Sequence, residues 1–335
     1  MTMPLRQKLA IGKYIFGKRL RGVRKFPLVL ELEPLLQCNL ACAGCGKIQH
    51  PNDILRRRLS VDECVAAVEE CGAPMVSIAG GEPLVHEQMP EIVQALIDRG
   101  KFVILCTNAL LLKKKIDLFT PSIHFVWMIH MDGLRERHDE SVCRDGVFDK
   151  AVEAIKIAKE RGFRVFTNTT FFNQDGPESI RGVLDYLNDD LKVDMMQISP
   201  AYAYEKAPDQ EHFLGVEQTR KIFREAFADG KRKKWRLNHS PVYLDFLEGK
   251  IDFECTPWGI PCYTVFGWQR PCYLMSDAPY AKTYKELLEE TDWSQFGRGR
   301  NDKCENCMAH CGYEPTAVAV TTGSIRESIR AGFAH

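Results

Sequence analysis

Net charge is what this 335-residue sequence most plainly lacks, since 45 Lys and Arg are balanced by 45 Asp and Glu. A protein built to hold polyanions concentrates positive charge, so a general affinity for nucleic acid is not expected. Long apolar runs are missing too, and none approaches the ~20 residues of a membrane-spanning helix. No stretch reads as a signal peptide. These absences point to a cytoplasmic protein. The thirteen cysteines, an odd number, are then expected to stay reduced, so clustered ones bind metal or do chemistry.

Acid is missing locally as well. Residues 1–30 contain Arg6, Lys8, Lys13, Lys18, Arg19, Arg21, Arg24 and Lys25 and no Asp or Glu, with Leu9, Ile11, Tyr14, Ile15 and Phe16 among them. One reading is a basic amphipathic segment at the inner membrane, peripheral and resting on anionic lipid. The other is a solvated basic helix packed across the end of the domain. Gly12, Gly17 and Gly22 weaken any long helix.

What the chain does have is cysteines in groups. Cys38 to Cys45 reads C-N-L-A-C-A-G-C, directly after a strand predicted over 28–36 by the alternation of Leu28, Leu30 and Leu32 with Glu31 and Glu33. Three thiolates can each bind one iron of a [4Fe–4S] cube and leave the fourth iron without a protein ligand, whereas a closed site wants four. Half of a four-cysteine zinc site, or buried free thiols, fits the spacing too.

Beyond this loop, strands and helices alternate. Ser60-Val-Asp-Glu63 is a capping box that opens a helix to about Cys71. Strands are predicted over 74–79, 102–107, 123–131, 163–172 and 193–199, with helices over 87–99, 148–161 and 177–187. Six alternations indicate a parallel sheet with helices outside, and chemistry then collects at the carboxyl ends of the strands. Those ends carry Gly80-Gly81-Glu82-Pro83, Cys106-Thr107-Asn108 and His130-Met131-Asp132. After about residue 205 the pattern gives way to charge, then to Pro, Gly, aromatics and six cysteines. The expected units are a basic segment over 1–27, a core over 28–210 and a cysteine-rich region over 211–335.

Cys38-x3-Cys42-x2-Cys45, followed at the end of the next strand by Gly80-Gly81-Glu82-Pro83, resembles the radical S-adenosylmethionine (SAM) superfamily. The resemblance implies an α/β fold, a partial (β/α)6 TIM-like radical SAM barrel, whose open iron chelates the amino and carboxylate groups of SAM. It places Gly80, Gly81, Glu82 and Pro83 at the methionine amino group, and Asn108 and Asp132 near the ribose. Asn168 and Ser199 join them at later strand ends. The usual aromatic residue before the third cysteine is Gly44 here, so the adenine is not stacked by that residue or is held differently. The chemistry implied is one-electron cleavage of SAM to methionine and a 5′-deoxyadenosyl radical, fed by an electron-donating reductase, flavodoxin or ferredoxin.

Cys255-x11-Gly267-x4-Cys272, followed by Cys304-x2-Cys307-x3-Cys311, resembles the auxiliary-cluster domains appended to many radical SAM enzymes, in a shortened SPASM/Twitch-like form. That implies a second, auxiliary [4Fe–4S] cluster on Cys255, Cys272, Cys304 and Cys307, with Cys262 and Cys311 as alternates. Four thiolates suit tetrahedral zinc equally well.

Three further strings, Cys42 to Ile48, His130 to Asp139 and Cys307 to Pro315, closely resemble one branch, the adenosylhopane synthases of hopanoid biosynthesis. That branch implies SAM consumed as a substrate, with its 5′-deoxyadenosyl group added to the alkene of diploptene (hopene). An apolar pocket is then expected, and Trp127, Met128, Phe171, Phe172, Met195 and Met196 flank the strand ends that would line it. Cys106 is the candidate hydrogen donor to the product radical, set against the reading of a small buried apolar residue. Two rivals remain. A radical SAM maturase modifying a peptide would usually bring an N-terminal recognition domain, for which 30 residues are too few. A non-enzymatic metal-binding protein has no need of the three-ligand spacing or the GGEP turn.

Overall fold

In a computed structural model the strand–helix alternation forms a single eight-stranded sheet, and the structure describes residues 4–275, 279–324 and 326–328. The basic segment comes first as one helix, α1 (Leu5–Leu20). Its glycines do not interrupt it, because tertiary contacts fix the helix where propensity would not. Gln7 and Ile15 are buried, and the Tyr14 hydroxyl donates to the Pro27 carbonyl at 2.8 Å.

Six strands follow in parallel: β1 (Val29–Glu33), β2 (Met75–Ile78), β3 (Phe102–Thr107), β4 (Phe125–His130), β5 (Arg164–Phe171) and β6 (Met195–Pro200). They lie side by side in sequence order, as short right-handed crossovers require. The crossovers carry α2 (Val61–Cys71), α3 (Met89–Asp98), α4 (Arg135–Ser141), α5 (Val147–Glu160) and α6 (Pro177–Asp185), with single-turn helices in some connections. The capping box at α2 forms as expected: the Glu63 N–H donates to Ser60 Oγ at 3.2 Å, and the Ser60 N–H to Glu63 Oε2 at 2.7 Å.

Period-two alternation splits each strand between two environments. Val103, Leu105, Trp127, Ile129, Val165 and Met196 enter the main core with the helices. Ile104, Val126, Met128, Phe166 and Met195 form a separate cluster on the concave face, with Met75 and Cys106 against it. This corrects the expected pocket lining. Met128 and Met195 face the lumen, but Trp127, Phe171 and Met196 are buried outside it, beneath the helices.

The C-terminal half holds α7 (Val216–Ala226), α8 (Pro241–Leu247), β7 (Cys262–Thr264), β8 (Gly267–Trp268), α9 (Tyr284–Glu290) and α10 (His310–Gly323). It is stitched onto the barrel. Strand β7 pairs parallel to β1, with Cys262 opposite Glu31, and β8 turns back antiparallel. At the other edge Leu237 bridges Met196. Both free edges of the six-stranded sheet are thus covered, which removes the exposed hydrogen-bonding rows of an open sheet.

Candidate active site and thiol pocket

The loop after β1 carries Cys38, Cys42 and Cys45 to the carboxyl end of the sheet. Its exit path is fixed by the GGEP turn that follows β2. The Gly81 N–H donates to Leu35 O at 3.0 Å and the Glu82 N–H to Gln37 O at 2.9 Å, prolonging the β1–β2 pairing into the two loops. A Cβ on Gly81 would stand 2.0 Å from Gln37 O, and one on Gly80, where φ is +103°, 2.2 Å from Leu35 O. These two glycines are therefore required by the cysteine loop itself, quite apart from any ligand.

Glu82 turns inward from this turn. Its carboxylate accepts from Thr107 Oγ1 (2.8 Å), the Asn108 N–H (2.8 Å) and the Leu84 N–H (3.0 Å). Burial pushes this carboxyl up in spite of those bonds. Glu82 thus locks the turn to the end of β3 and leaves the Asn108 side chain directed at the cysteine loop. Asn108 Nδ2 donates to Asn39 Oδ1 at 2.7 Å and lies 3.8 Å from Cys38 Sγ.

Asp132 is engaged on both oxygens, accepting from the Thr170 N–H (2.9 Å) on one and from Ser141 Oγ (3.0 Å) and His130 Nε2 (2.7 Å) on the other. Burial raises its carboxyl, but the His130 imidazole, with His138 and the Thr170 N–H, holds it below the usual range. His130 is disfavoured by burial and raised by Asp132. Behind them His138 is fully buried, its Nδ1 accepting from the Asp132 N–H at 3.1 Å. Burial, then the neighbouring His130, lowers it to about 4. Asp132 is thus a strut between β4, β5 and α4, with little left to offer a ribose.

Further round the mouth, Asn168 stands in register with His130 and Gln197, and among the described residues its Oδ1 has no partner. Gln197 Nε2 and His310 Nε2 are 2.9 Å apart, and His310 Nδ1 has none either. Ser199 is buried on β6 opposite Thr170, its hydroxyl on the Pro200 carbonyl at 3.2 Å. Unmatched polar atoms at a barrel mouth are what a polar ligand would satisfy.

The missing aromatic before Cys45 has a stand-in. A Cβ built on Gly44 would lie 2.9 Å from Phe172 Cε1, so a ring reaches this spot from the end of β5. The Arg137 guanidinium lies 5.3 Å from its centroid.

Below the cysteine loop, Cys106 faces Met128 in register and packs on the lumen cluster. Its Sγ lies 3.7 Å from Ser77 Oγ. Desolvation, then the charge of Glu31, pushes the thiol up, so it is held as S–H. Glu31 is itself raised to about 8 by burial and by Glu33.

The C-terminal cysteines gather in one apolar cavity, lined by Cys255, Cys272, Cys304, Cys307 and Cys311 with Ile260, Leu274 and Tyr313. Gly312 is needed there, since a Cβ would meet Cys255 Sγ at 2.4 Å. The alternate Cys262 stands apart, buried on β7 beside Glu33; Cys311 is the fifth thiol that does line the cavity. Helix α10 brings its loop to the barrel through His239, which accepts the Ile198 N–H at 2.9 Å and faces Glu314 at 3.1 Å.

Among the described residues no three His, Cys, Asp or Glu side chains converge as the ligands of a single ion would. Thiolates of a cube each take a different iron and ring a cavity instead. Soft thiolates suit iron–sulfur chemistry, and burial pushes the first three thiols up, Cys38 to about 11, so loading releases protons.

Between the two thiol sites lies an ion pair that the sequence reading missed. Lys47 Nζ is 2.7 Å from Glu33 Oε1, both residues are buried, and the ammonium stands 4.2 Å from the Tyr273 ring centroid. His130, His310 and Phe172 were also missed in these roles. Only the polarity of His130, at a strand end beside Asp132, offered a signal.

The radical SAM superfamily matches residues 32–187, and a domain of unknown function, DUF3463, matches residues 196–331. A GTP 3′,8-cyclase of Clostridium perfringens is 27% identical over 230 residues, covering 65% of this chain and 69% of that protein. The Fe-coproporphyrin III synthase of Methanosarcina barkeri is 25% identical over 159 residues, 46% of this chain and 39% of that one. Among solved structures, Streptococcus suis SuiB aligns with a TM-score of 0.67 at 17% identity, over 90% of this chain and 75% of its own. The structure titled native anSMEcpe with bound AdoMet and Cp18Cys peptide aligns at 0.58 and 17% identity, over 91% of this chain and 99% of its own. None of these relatives is named as a hopanoid enzyme, and the two solved structures, at 17% identity, share the fold; the matched superfamily uses a [4Fe–4S] cluster and SAM. Residues 32–187, with the thiol loop they contain, are a radical SAM domain.

Proposed function

We propose that this radical SAM enzyme is an adenosyl transferase that joins the 5′-deoxyadenosyl group of SAM to the terminal alkene of an apolar polycyclic hydrocarbon of the diploptene type. The carrying observation is the lumen beneath the cysteine loop. Ile104, Val126, Met128, Phe166 and Met195 make its lower wall apolar, and Cys106 is the thiol set against them, with Ser77 and Glu31 as its polar neighbours. Such a wall recognises shape and area and offers a hydrocarbon what no polar substrate needs. A nucleoside triphosphate, by contrast, wants free cations. Lys47, the buried cation beside the cysteine loop, is taken by Glu33.

Cys38, Cys42 and Cys45 would hold the cluster, which when loaded with SAM supplies the 5′-deoxyadenosyl radical and releases methionine. The chain's own task is to exclude other hydrogen donors and to direct that radical to the alkene. Carbon–carbon bond formation leaves the unpaired electron on the tertiary carbon. The Cys106 S–H supplies a hydrogen atom to it, and one electron and one proton from the reductase side restore the thiol. Overall, SAM and the alkene consume two electrons and one proton. Cys255, Cys272, Cys304 and Cys307 would hold an auxiliary cluster.

The test is anaerobic reconstitution with iron and sulfide, then SAM, reductant and diploptene, read by mass spectrometry. An adenosylated adduct is expected, and Cys106→Ala is expected to keep SAM cleavage while diverting the product. Free 5′-deoxyadenosine without adduct overturns the substrate assignment. A second reading, modification of a peptide, is favoured by the fold shared with SuiB, which has been solved with its precursor peptide SuiA. A peptide substrate would raise cleavage where diploptene does not.

A further inference from the structure

Helix α1 has two apolar faces on opposite sides. Its inner face, with Gln7, Tyr14 and Ile15, docks on the protein. Its outer face carries Leu5, Leu9, Phe16 and Leu20, exposed by 71, 64, 64 and 72%. At 3.6 residues per turn these four fall within a stripe about 60° wide. Arg6 and Lys13 flank the stripe on one side, Lys8 and Arg19 on the other, and no acidic residue occurs before Glu31.

The helix does not hang free. Arg19 donates to the Thr322 and Ala319 carbonyls of α10 at 3.0 and 2.9 Å. Arg164, the first residue of β5, reaches Gln7 Oε1 at 3.5 Å. The stripe therefore lies across the amino-terminal end of the barrel, opposite the cysteine loop. Ile123, whose carbonyl accepts from the same Arg164, and Val320, next to the Ala319 that Arg19 bonds, are exposed as well. A cleft of about 440 Å³ lies between α1 and α10, lined by Ile15, Val23, Phe26, Trp258 and Val318 with Arg19 and Arg24.

We infer that this face rests on an anionic lipid bilayer, with the Leu–Phe stripe at the acyl boundary and the flanking cations among the phosphates. A rigid, protein-backed helix with an apolar ridge and one sign of charge on both flanks has the chemistry of an interfacial helix. A second copy of the chain would set the same eight cations against each other, so charge complementarity favours lipid. No helix among the described residues is long and apolar enough to cross a membrane. The inference stands apart from the substrate assignment, because lipid binding is measured without substrate.

The experiment is flotation of the purified full-length protein with phosphatidylglycerol/phosphatidylethanolamine vesicles and with phosphatidylcholine vesicles. Flotation is expected with the first only, weakening by about tenfold or more when salt shortens the Debye length from ~10 to ~3 Å. Leu9→Glu/Phe16→Glu should abolish it with an unchanged melting curve, both side chains being exposed. Lys13→Gln/Arg19→Gln should weaken it without abolishing it. Absence of flotation on anionic vesicles overturns the inference, as does flotation that survives Leu9→Glu/Phe16→Glu. A wild-type dimer by light scattering that Leu9→Glu/Phe16→Glu converts to monomer also overturns it, because the stripe would then be covered by a second copy.

Discussion

The two thiol sites of this chain are built in opposite ways. Cys38, Cys42 and Cys45 come from one short loop, and their surroundings are polar: Glu82, Asn108, Asp132 and His130 pin the neighbouring backbone. The C-terminal cavity draws five cysteines from three separate stretches and walls them with Ile260, Leu274 and Tyr313. Three thiols beside unmatched polar atoms leave an iron for a ligand; five thiols in an apolar wall can satisfy every iron of a cube. Under the proposed assignment the first would be the working site and the second a closed one.

The largest effect expected from this contrast is a clean separation of the two. Cys42→Ala should remove one cluster's iron and reduce SAM cleavage to background, while the second cluster's iron stays. Cys307→Ala should do the reverse for iron and leave cleavage detectable. Iron and sulfide counts with electron paramagnetic resonance would check both, and equal loss of cleavage in the two variants would erase the functional distinction. Next in size is Lys47→Met, which strands the Glu33 carboxylate between the sites. Removing one partner of a buried pair costs about 3–5 kcal/mol, read as a shift in the denaturation midpoint. A shift below about 1 kcal/mol would mean that the pair contributes little to the fold.

How legible each site was follows from the same contrast. A loop whose ligands are three and two residues apart can be read off the chain, as can the GGEP turn and the six alternations behind it. The β1–β2 pairing shows that the turn is part of the cysteine loop's own support. A cavity whose walls come from residues 255–313 depends on how those segments fold back, so the four favoured thiols could be named but the fifth could not be ranked. Cys262 looked equivalent to Cys311 by spacing, yet its place on β7 faces it toward Glu33. Side-chain direction was also invisible at strand ends. Trp127 and Met128 are neighbours in sequence but lie on opposite faces of the sheet, and only the register decides which one lines the lumen.

The polar surroundings of the first site predict a pH signature. His138 is lowered from 6.5 to about 4, so between those values the unfolded chain holds the extra proton and stability rises with pH. The contribution is complete above pH 6.5 and is lost as pH falls toward 4, by about 3 kcal/mol at most. His130, raised by Asp132, works the other way, with stability present below 6.5 and lost as pH rises through its folded value. Urea midpoints at pH 7 and pH 5 should therefore differ in the wild type and differ less in His138→Asn. An unchanged slope in the variant would move the effect elsewhere.

The smallest expected effect is also the sharpest check on the open site. Cys143 lies exposed in the connection after α4 with φ at +55°, near enough that its charge bears on Cys42. A fourth thiolate there would close the first site and leave no iron for SAM. The surrounding geometry argues against that role. Asp132, Ser141 and the Ala43–Ser141 backbone bond at 3.2 Å tie α4 to the cysteine loop without it, and its side chain faces solvent. Cys143→Ser keeps the side-chain size in a backbone conformation that few residues adopt, so folding should be undisturbed. First-site iron should then stay at the wild-type count and SAM cleavage within about twofold, less than 0.5 kcal/mol in barrier. Loss of iron comparable to that in Cys42→Ala would make the first site a four-thiolate one, and the contrast between an open and a closed cluster would have to be abandoned.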